Sequence, residues 1–121
     1  SLVITSVKDL IKNIKTVSLF VKDNINDINL QFNVNKEDPI DSSITVKSFN
    51  EQLGESSSDL SANITGIDNN IILNYLYLLE GLNNLNSDEV KLEIIDNLSP
   101  MIISSVDESD QYVYIVMPIR Q

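Results

Sequence analysis

Apolar side chains near the start of the chain recur at helical spacing. The apolar positions are Val7, Leu10, Ile11, Ile14 and Val17. At about 100° per residue these five positions share one face of a helix. Ser6 precedes them and is a suitable N-cap, because its hydroxyl can accept a hydrogen bond from a free amide of the first turn. The segment SVKDLIKNIKTVSLFV (residues 6–21) therefore predicts an amphipathic helix.

After Asn24 the period changes to two. INLQFNV (28–34) alternates apolar and amide side chains, which is typical of a half-buried strand. The turn-forming segment EDPIDSS (37–43) separates it from ITVKSFN (44–50), which predicts a second strand antiparallel to the first. The polar segment EQLGESSSD (51–59) is expected to be a loop or a frayed edge.

The rest of the chain alternates between the two periods. LSANITG (60–66) and NNIILN (69–74) predict strands joined by a turn at residues 66–69. A second helix is predicted from Asn74, a favourable N-cap, to a stop at residues 83–84. Its apolar positions are Leu76, Leu78, Leu79 and Leu82. Three further strands, with turns at 97–100 and 107–110, are predicted in EVKLEIID (89–96), PMIISSV (100–106) and YVYIVMPI (112–119).

The predicted order is helix, four strands, helix, three strands. This order favours an α+β domain in which two helices pack on one face of a largely antiparallel sheet. A length of 121 residues suits one domain, taken as residues 1–121. No convincing short repeat is visible.

Composition restricts the class of protein. Hydrophobic residues make up 42% of the chain without an apolar run near 18 residues, which indicates a soluble globular protein rather than a membrane-spanning one. The absence of cysteine and histidine excludes disulfides, a thiol nucleophile and the commonest general base. We expect no metal and no cofactor, and the reducing cytoplasm is the favoured compartment.

Charge is distributed unevenly along the chain. The formal net charge is -10, yet residues 1–22 carry four lysines against Asp9, a net of +3, and the remaining 99 residues carry -13. Lys8, Lys12 and Lys15 fall within an arc of about 60° beside the apolar face of the first helix. A basic face for nucleic acid and an ordinary solvated lysine face are both compatible with this arrangement.

Signals for catalysis are weak. The acidic segment DESD (107–110) lies in a predicted turn, where exposed carboxylates are ordinary, and no serine has a histidine partner. No glycine-rich phosphate loop or EF-hand spacing is present. The sequence therefore does not indicate an enzyme.

The second half of the chain resembles a known family. NITGIDNNIILNYLYLLEGL, then DEVKLEIID, PMIIS and the terminal YVYIVMPIRQ, are similar to the third, C-terminal domain of the bacterial DNA polymerase III beta subunit, the sliding clamp. VKDLIKNIKTVSLF matches the opening helix of that domain, so the resemblance extends over essentially the whole chain. It implies a non-catalytic processivity factor for DNA replication, of which this chain is one of three domains and the first two are absent.

The resemblance also implies a docking pocket for a linear motif that contains a glutamine and bulky apolar or aromatic residues. Its occupants in the family are DNA polymerase III subunits, the clamp loader and repair proteins. The matching residues are Asn74, Tyr77, Leu98, Pro100, Ile115, Val116, Met117, Pro118, Ile119 and Arg120. One of the alternating pair Ile115 and Val116 must face the core instead.

Two further roles follow from the resemblance. Family members form a homodimeric ring around duplex DNA without reading its sequence, which makes Lys8, Lys12 and Lys15 candidates for the DNA-facing lining. Phe20, Val21, Glu51 and Glu55 match positions at the interface between protomers. The segment GESSSD differs from the family pattern, since it has serines where acidic residues often cluster.

Two other hypotheses belong to different classes. An unrelated α+β cell-surface adhesion or ligand-binding module is compatible with an acidic chain that lacks cysteine and is rich in asparagine. A carboxylate enzyme would need convergent acids in a cleft, and the spacing of the acidic residues gives no sign of one.

Overall fold

Strands dominate the fold, and each is antiparallel to its neighbours in the sheet. A computed structural model describes residues 1–19, 26–50 and 52–119. The elements are β1 (Leu2–Ser6), α1 (Val7–Ser18), β2 (Asp27–Asn33), a 3-10 turn (Pro39–Asp41), β3 (Ser42–Asn50), β4 (Gly54–Thr65), β5 (Asn69–Asn74), α2 (Tyr75–Asn83), β6 (Glu89–Glu93), β7 (Met101–Ser105) and β8 (Val113–Val116). The predicted α+β class, with two helices on one face of an antiparallel sheet, is confirmed.

The order of strands shows an internal repeat. Among the described residues the sheet has the order β5-β2-β3-β4-β1-β6-β7-β8. We call β5-β2-β3-β4 the first sheet half and β1-β6-β7-β8 the second sheet half. The chain order strand, helix, three strands occurs twice, and the leading strand of each repeat pairs with the other repeat. The sequence shows no convincing short repeat because the two repeats share topology rather than a recognisable sequence pattern.

The core lies between the sheet and the helices. Leu10, Ile14 and Val17 of α1 are buried, and Leu78 and Leu82 of α2 join the same cluster. Each strand contributes alternate side chains, of which Phe32, Ile44, Leu73, Leu92 and Ile103 are fully buried. Complete burial of one such side chain stabilises the fold by about 1.5–3 kcal/mol. Leu76, expected on the apolar face of the second helix, is instead 49% exposed.

Both predicted helix starts are confirmed. Ser6 Oγ accepts a hydrogen bond from the Asp9 amide at 3.2 Å, and Asn74 Oδ1 accepts one from the Leu76 amide at 2.9 Å. Each cap satisfies an amide that the helix itself leaves without a partner. The two caps thus fix where α1 and α2 leave the preceding strands.

A strand precedes the first helix, which the predicted order omitted. Strand β1 pairs with β6 over five positions and with β4 over three. Strand β1 has only five residues, so alternation of apolar and polar side chains is a weak signal for it in the sequence. Pairing with strands on both sides stabilises it in the fold. Strand β1 joins the two sheet halves.

Most of the polar segment 51–59, expected to be a loop or a frayed edge, is part of strand β4, which includes its residues 54–59. Strand β4 runs from Gly54 to Thr65 and pairs with β3 from Asn50 to Ser42. Continuous backbone pairing overrides the weak strand propensity of the serines, which is a common tertiary effect. The inward-facing Ser58 hydrogen-bonds Asn13 on α1, so this end of the strand packs through polar contacts.

Candidate functional site

The end of β8 lies beside the start of α2. In the ladder between β7 and β8, Met101 pairs with Val116, so Leu98 and Pro100 in the preceding turn lie near the C-terminal end of β8. The Ile119 amide donates a 2.7 Å hydrogen bond to the Ile72 carbonyl of β5, the strand that leads into α2. The predicted docking residues from 74 to 119 therefore converge at one end of the fold.

Several of these side chains are exposed although they are apolar. Tyr77 is 58% exposed, Leu98 49%, Ile115 58% and Met117 62%. Pro100 is also exposed, while Pro118 and Ile119 are half-buried. We call Tyr77, Leu98, Ile115 and Met117 the apolar docking patch. A cluster of exposed apolar side chains at one end of a domain is typical of a surface that binds a partner.

Three predicted pocket residues differ from the exposed ones: Val116 is buried, Arg120 lies outside the described residues, and Asn74 caps a helix. Val116 is 2% exposed and belongs to the core, so Ile115 is the member of that pair that faces outward. Arg120 falls outside the described residues. Asn74 is half-buried and its Oδ1 caps α2. It therefore acts on the patch indirectly, by fixing the first turn of the helix that carries Tyr77.

The turn that carries Leu98 is fixed by a carboxylate. Asp96 Oδ1 accepts hydrogen bonds from the Leu98 amide at 2.9 Å and from the Ser99 amide at 2.7 Å. The bond from the Leu98 amide, followed by those from Ser99, holds the pKa of the Asp96 carboxyl below its ordinary value. The ionised carboxylate thus holds the loop that presents Leu98.

The three lysines predicted to face DNA share one exposed side of α1. Lys8, Lys12 and Lys15 line a shallow depression together with the half-buried Ile11 and the exposed Leu19. In the part of the chain that the structure describes, none of the three lysines forms an ion pair. Their ammonium groups are therefore available to an external anion.

The predicted protomer-interface residues are only partly described. Phe20, Val21 and Glu51 lie outside the described ranges. Glu55 is exposed on β4, pairs in register with Phe49, and lies 3.8 Å from Lys47 Nζ through its Oε1 atom. Sequence reasoning missed the exposed apolar side chains at this end of the fold. They are Leu19, Phe49 and Leu53, at 79%, 68% and 64% exposure.

Strand β4 also leaves backbone groups open near these residues. One edge of β4 pairs with β3 along most of its length. On the other edge β1 pairs only with Asn63 to Thr65, so the backbone of residues 54–61 has no strand partner on that edge among the described residues. Thr5 Oγ1 donates to the Ser61 carbonyl at 2.7 Å and covers one of these groups. An open strand edge is a common site of pairing with another chain.

Sequence reasoning also missed a contact that connects α2 with β8. The aromatic ring of Tyr114 packs on Gly81, and Tyr114 Oη donates a long 3.4 Å hydrogen bond to Glu80 Oε2. Gly81 lies within a helix that the sequence already predicted, where a lone glycine carries little signal.

An antiparallel sheet of paired repeats around two helices is the architecture of a DNA clamp domain. A family profile for the C-terminal domain of the DNA polymerase III beta subunit matches residues 1–120, and the chain belongs to this family. No curated protein sequence matches the chain significantly. In the residues that the structure describes, no helix has both the length and the apolar character needed to cross a membrane.

Solved structures of sliding clamps share the fold. Over 99% of this chain, the DNA polymerase III beta subunit of Pseudomonas aeruginosa is 21% identical with a TM-score of 0.87. The corresponding values are 26% and 0.83 for Thermotoga maritima, and 21% and 0.88 for Bacillus subtilis. The chain spans 30–31% of the length of these three proteins, and the family match gives no support to a cell-surface module.

Proposed function

We propose that this chain acts as the third domain of a sliding clamp and docks short linear motifs of partner proteins on the apolar docking patch. The observation that carries the proposal is the convergence of Tyr77, Leu98, Ile115 and Met117, all about half exposed or more, at one end of the fold. Family membership supports a role in DNA replication in the cytoplasm, as a processivity factor without catalytic activity.

The chemistry of the patch suits partners of varied sequence. Met117 has a flexible, polarisable side chain that adapts to different apolar surfaces. Pro118 fixes its own φ and restricts Met117 before it, and the Ile119 hydrogen bond to Ile72 fixes the tail, so little entropy is lost when a peptide binds. Tyr77 combines an apolar face with a hydroxyl. Partners of this kind would include DNA polymerase III subunits, the clamp loader and repair proteins, each through a short motif.

We propose a second role for the chain, in which α1 faces DNA. With two further domains per protomer, a closed ring would place the exposed face of Lys8, Lys12 and Lys15 toward duplex DNA. A topological link requires only a lining that does not repel phosphate, so a net charge of -10 is compatible with DNA in the ring. Among residues 1–19, 26–50 and 52–119 none of these lysines forms an ion pair, which supports this orientation.

We propose that the ring closes as a homodimer through the end of the fold that carries Leu19, Phe49, Leu53 and Glu55. Three exposed apolar side chains and an open β4 edge lie there, and both features favour association with another protein surface. Phe20, Val21 and Glu51 remain candidates for the same interface.

Direct peptide binding tests the docking role. A fluorescein-labelled peptide containing Gln-Leu-x-Leu-Phe is titrated with the 121-residue chain, and a scrambled peptide of equal composition serves as control. Saturable binding of the motif and none of the scrambled peptide is the expected result. Equal binding of both peptides, or no binding at millimolar protein, contradicts the docking proposal.

Retention on circular DNA tests the ring. The chain replaces the third domain of the Thermotoga maritima clamp, and the chimera is loaded on a nicked circular duplex. We expect retention on the circle and release when the duplex is cut, because linear DNA has ends from which a ring slides. Replacement of Lys8, Lys12 and Lys15 by glutamate should shorten retention. Equal retention on circular and linear duplex contradicts a topological link.

A further inference from the structure

An aromatic ring lies against the backbone of α2 at Gly81. Gly81 is buried, and a Cβ atom added to it would lie 2.6 Å from Tyr114 Cδ1 and 3.1 Å from Tyr114 Cε1 and Cγ. Real Cβ atoms essentially never approach other atoms as closely as 2.6 Å. Gly81 lies within α2 and is not among the glycines of positive φ, so close approach explains its identity better than backbone conformation does.

Tyr114 is held on several sides. Its hydroxyl donates to Glu80 Oε2 at 3.4 Å, and its ring stacks on Tyr112 with centroids 6.4 Å apart and planes 13° from parallel. Loss of hydration, followed by the negative charge of Glu80, raises the pKa of the Tyr114 phenol above 10.0. The charge of Tyr77 adds a smaller upward contribution to the same pKa.

Tyr114 lies between α2, which carries Tyr77, and β8, which carries Ile115. Gly81 is four residues after Tyr77, so the two positions lie on the same side of α2. Tyr114 immediately precedes Ile115 on β8, and the two side chains point to opposite faces of the sheet. The contact between Tyr114 and Gly81 thus connects the helix that carries Tyr77 with the strand that carries Ile115 and leads to Met117.

We infer that Tyr114 is a positioning residue, whose ring against Gly81 sets the distance of Tyr77 from Ile115 and Met117 and thereby the width of the docking patch. The inference rests on the proposed docking function. Glycine at position 81 allows α2 and β8 to approach; a methyl group there moves the helix or the Tyr114 ring, and Tyr77 moves with it.

Four variants test the inference with the labelled Gln-Leu-x-Leu-Phe peptide. Gly81→Ala should weaken peptide binding about fivefold, and Tyr114→Leu by a similar factor. Tyr114→Phe, which keeps the ring, should recover most of the affinity lost in Tyr114→Leu. Asn83→Ala, an exposed change on the same helix, is the matched control and should leave affinity unchanged.

A stability cycle separates positioning from damage to the fold. Alanine has a higher helix propensity than glycine, so Gly81→Ala should raise the Tm in the Tyr114→Leu background, where no ring is in the way. In the wild-type background the same change should leave the Tm unchanged or lower it. A rise of the Tm in both backgrounds would show that the close contact does not restrict position 81 and would overturn the inference.

The failure of the inference can be distinguished from failure of the docking proposal. If the wild-type chain binds the peptide and Gly81→Ala binds it equally well, docking stands and the positioning role is wrong. If the wild-type chain does not bind, docking fails, and the NMR shifts of the Tyr77 ring still decide the positioning claim. Tyr77 shifts that move in Gly81→Ala and not in Asn83→Ala support positioning, whereas unchanged shifts overturn it.

Discussion

The two sheet halves share a topology and differ on the face that points away from the helices. On the first sheet half the centre of that face is polar, although Phe49 is exposed at one end of it: Asn33 Nδ2 donates to Ser43 Oγ at 3.2 Å and Thr45 Oγ1 at 3.0 Å, and Thr45 Oγ1 donates to Asp59 Oδ1 at 2.6 Å. On the second sheet half, Ile115 and Val113 are 58% and 59% exposed, beside a half-buried Ile102.

This difference indicates which outer face is suited to binding a linear motif. Both halves bury alternate apolar side chains against the helices, because the core requires it. The outer faces carry no such requirement, and hydrogen bonds among Asn33, Ser43, Thr45 and Asp59 satisfy the polar side chains at the centre of the first one. The apolar outer side chains of the second half lead to the docking patch, so the second sheet half is the one on which we expect linear motifs to dock.

The largest expected effect separates the two faces of β8. Val116→Asp places a carboxylate at a position that is 2% exposed, which should cost more than about 3 kcal/mol and unfold much of the protein. Ile115→Asp, one residue earlier and exposed, should leave the fold intact and abolish peptide binding. Circular dichroism during thermal unfolding and peptide titration measure the two effects. Similar loss of stability in both variants would contradict the assigned faces.

A second pair of variants separates the two ends of the fold. Met117→Asp should weaken motif binding at least tenfold, equivalent to about 1.4 kcal/mol, without a large change in Tm. Phe49→Asp alters a side chain of similar exposure near β4 and is the matched control. Its peptide affinity should equal that of the wild type. Wild-type affinity in the Met117→Asp variant would show that the C-terminal tail is not part of the docking patch.

Acid should weaken the turns of the second sheet half. The Leu98 and Ser99 amides lower the pKa of Asp96, and the hydroxyl and amide of Ser109 lower that of Asp107, both from an ordinary value of 3.8. A lowered pKa in the folded state gives stability that is fully present above the unfolded value and is lost as pH falls through the folded value.

Thermal unfolding between pH 6 and pH 2 checks this pH dependence. Asp96→Asn and Asp107→Asn keep a side-chain oxygen as acceptor but cannot titrate. The advantage in Tm of the wild type over the double variant should therefore be largest near pH 6 and should decline below about pH 4. A constant difference across the range would show that protonation of these carboxylates does not change the stability of the fold.

The smallest expected effects come from one ion pair on each sheet half. Lys47 Nζ lies 3.8 Å from Glu55 Oε1, and Lys91 Nζ lies 3.8 Å from Glu93 Oε1, with all four side chains more than a third exposed. Lys47→Met and Lys91→Met should each change the free energy of unfolding by less than about 1 kcal/mol, because water screens exposed pairs. Urea unfolding measures both changes. A loss well above that value would show that the pair is part of a larger network.

Sequence patterns predicted the helices and most strands because their apolar periods matched the buried faces. Leu10, Ile14 and Val17 are examples, since helical spacing alone placed them in the core. Strand β1 and the start of β4 were missed because pairing with neighbouring strands, rather than local propensity, stabilises them. The serines at 56–58 give no apolar alternation for sequence reasoning to detect.

The candidate site was predicted by resemblance more than by pattern. Alternation required either Ile115 or Val116 to face inward, and only the structure assigns Val116 to the core. The close approach of Tyr114 to Gly81 depends on how α2 packs on β8, which no spacing along the chain encodes. The role of the docking patch remains a prediction.

The most direct test of the account is an NMR titration of the 121-residue chain with the Gln-Leu-x-Leu-Phe peptide, followed by backbone amide shifts. We predict perturbations at Tyr77, Leu98, Ile115 and Met117 and none on the outer face of the first sheet half, at Ser43, Thr45 and Asp59. Perturbations centred on the first sheet half, or none at millimolar peptide, would contradict the claim that the second sheet half carries the docking surface.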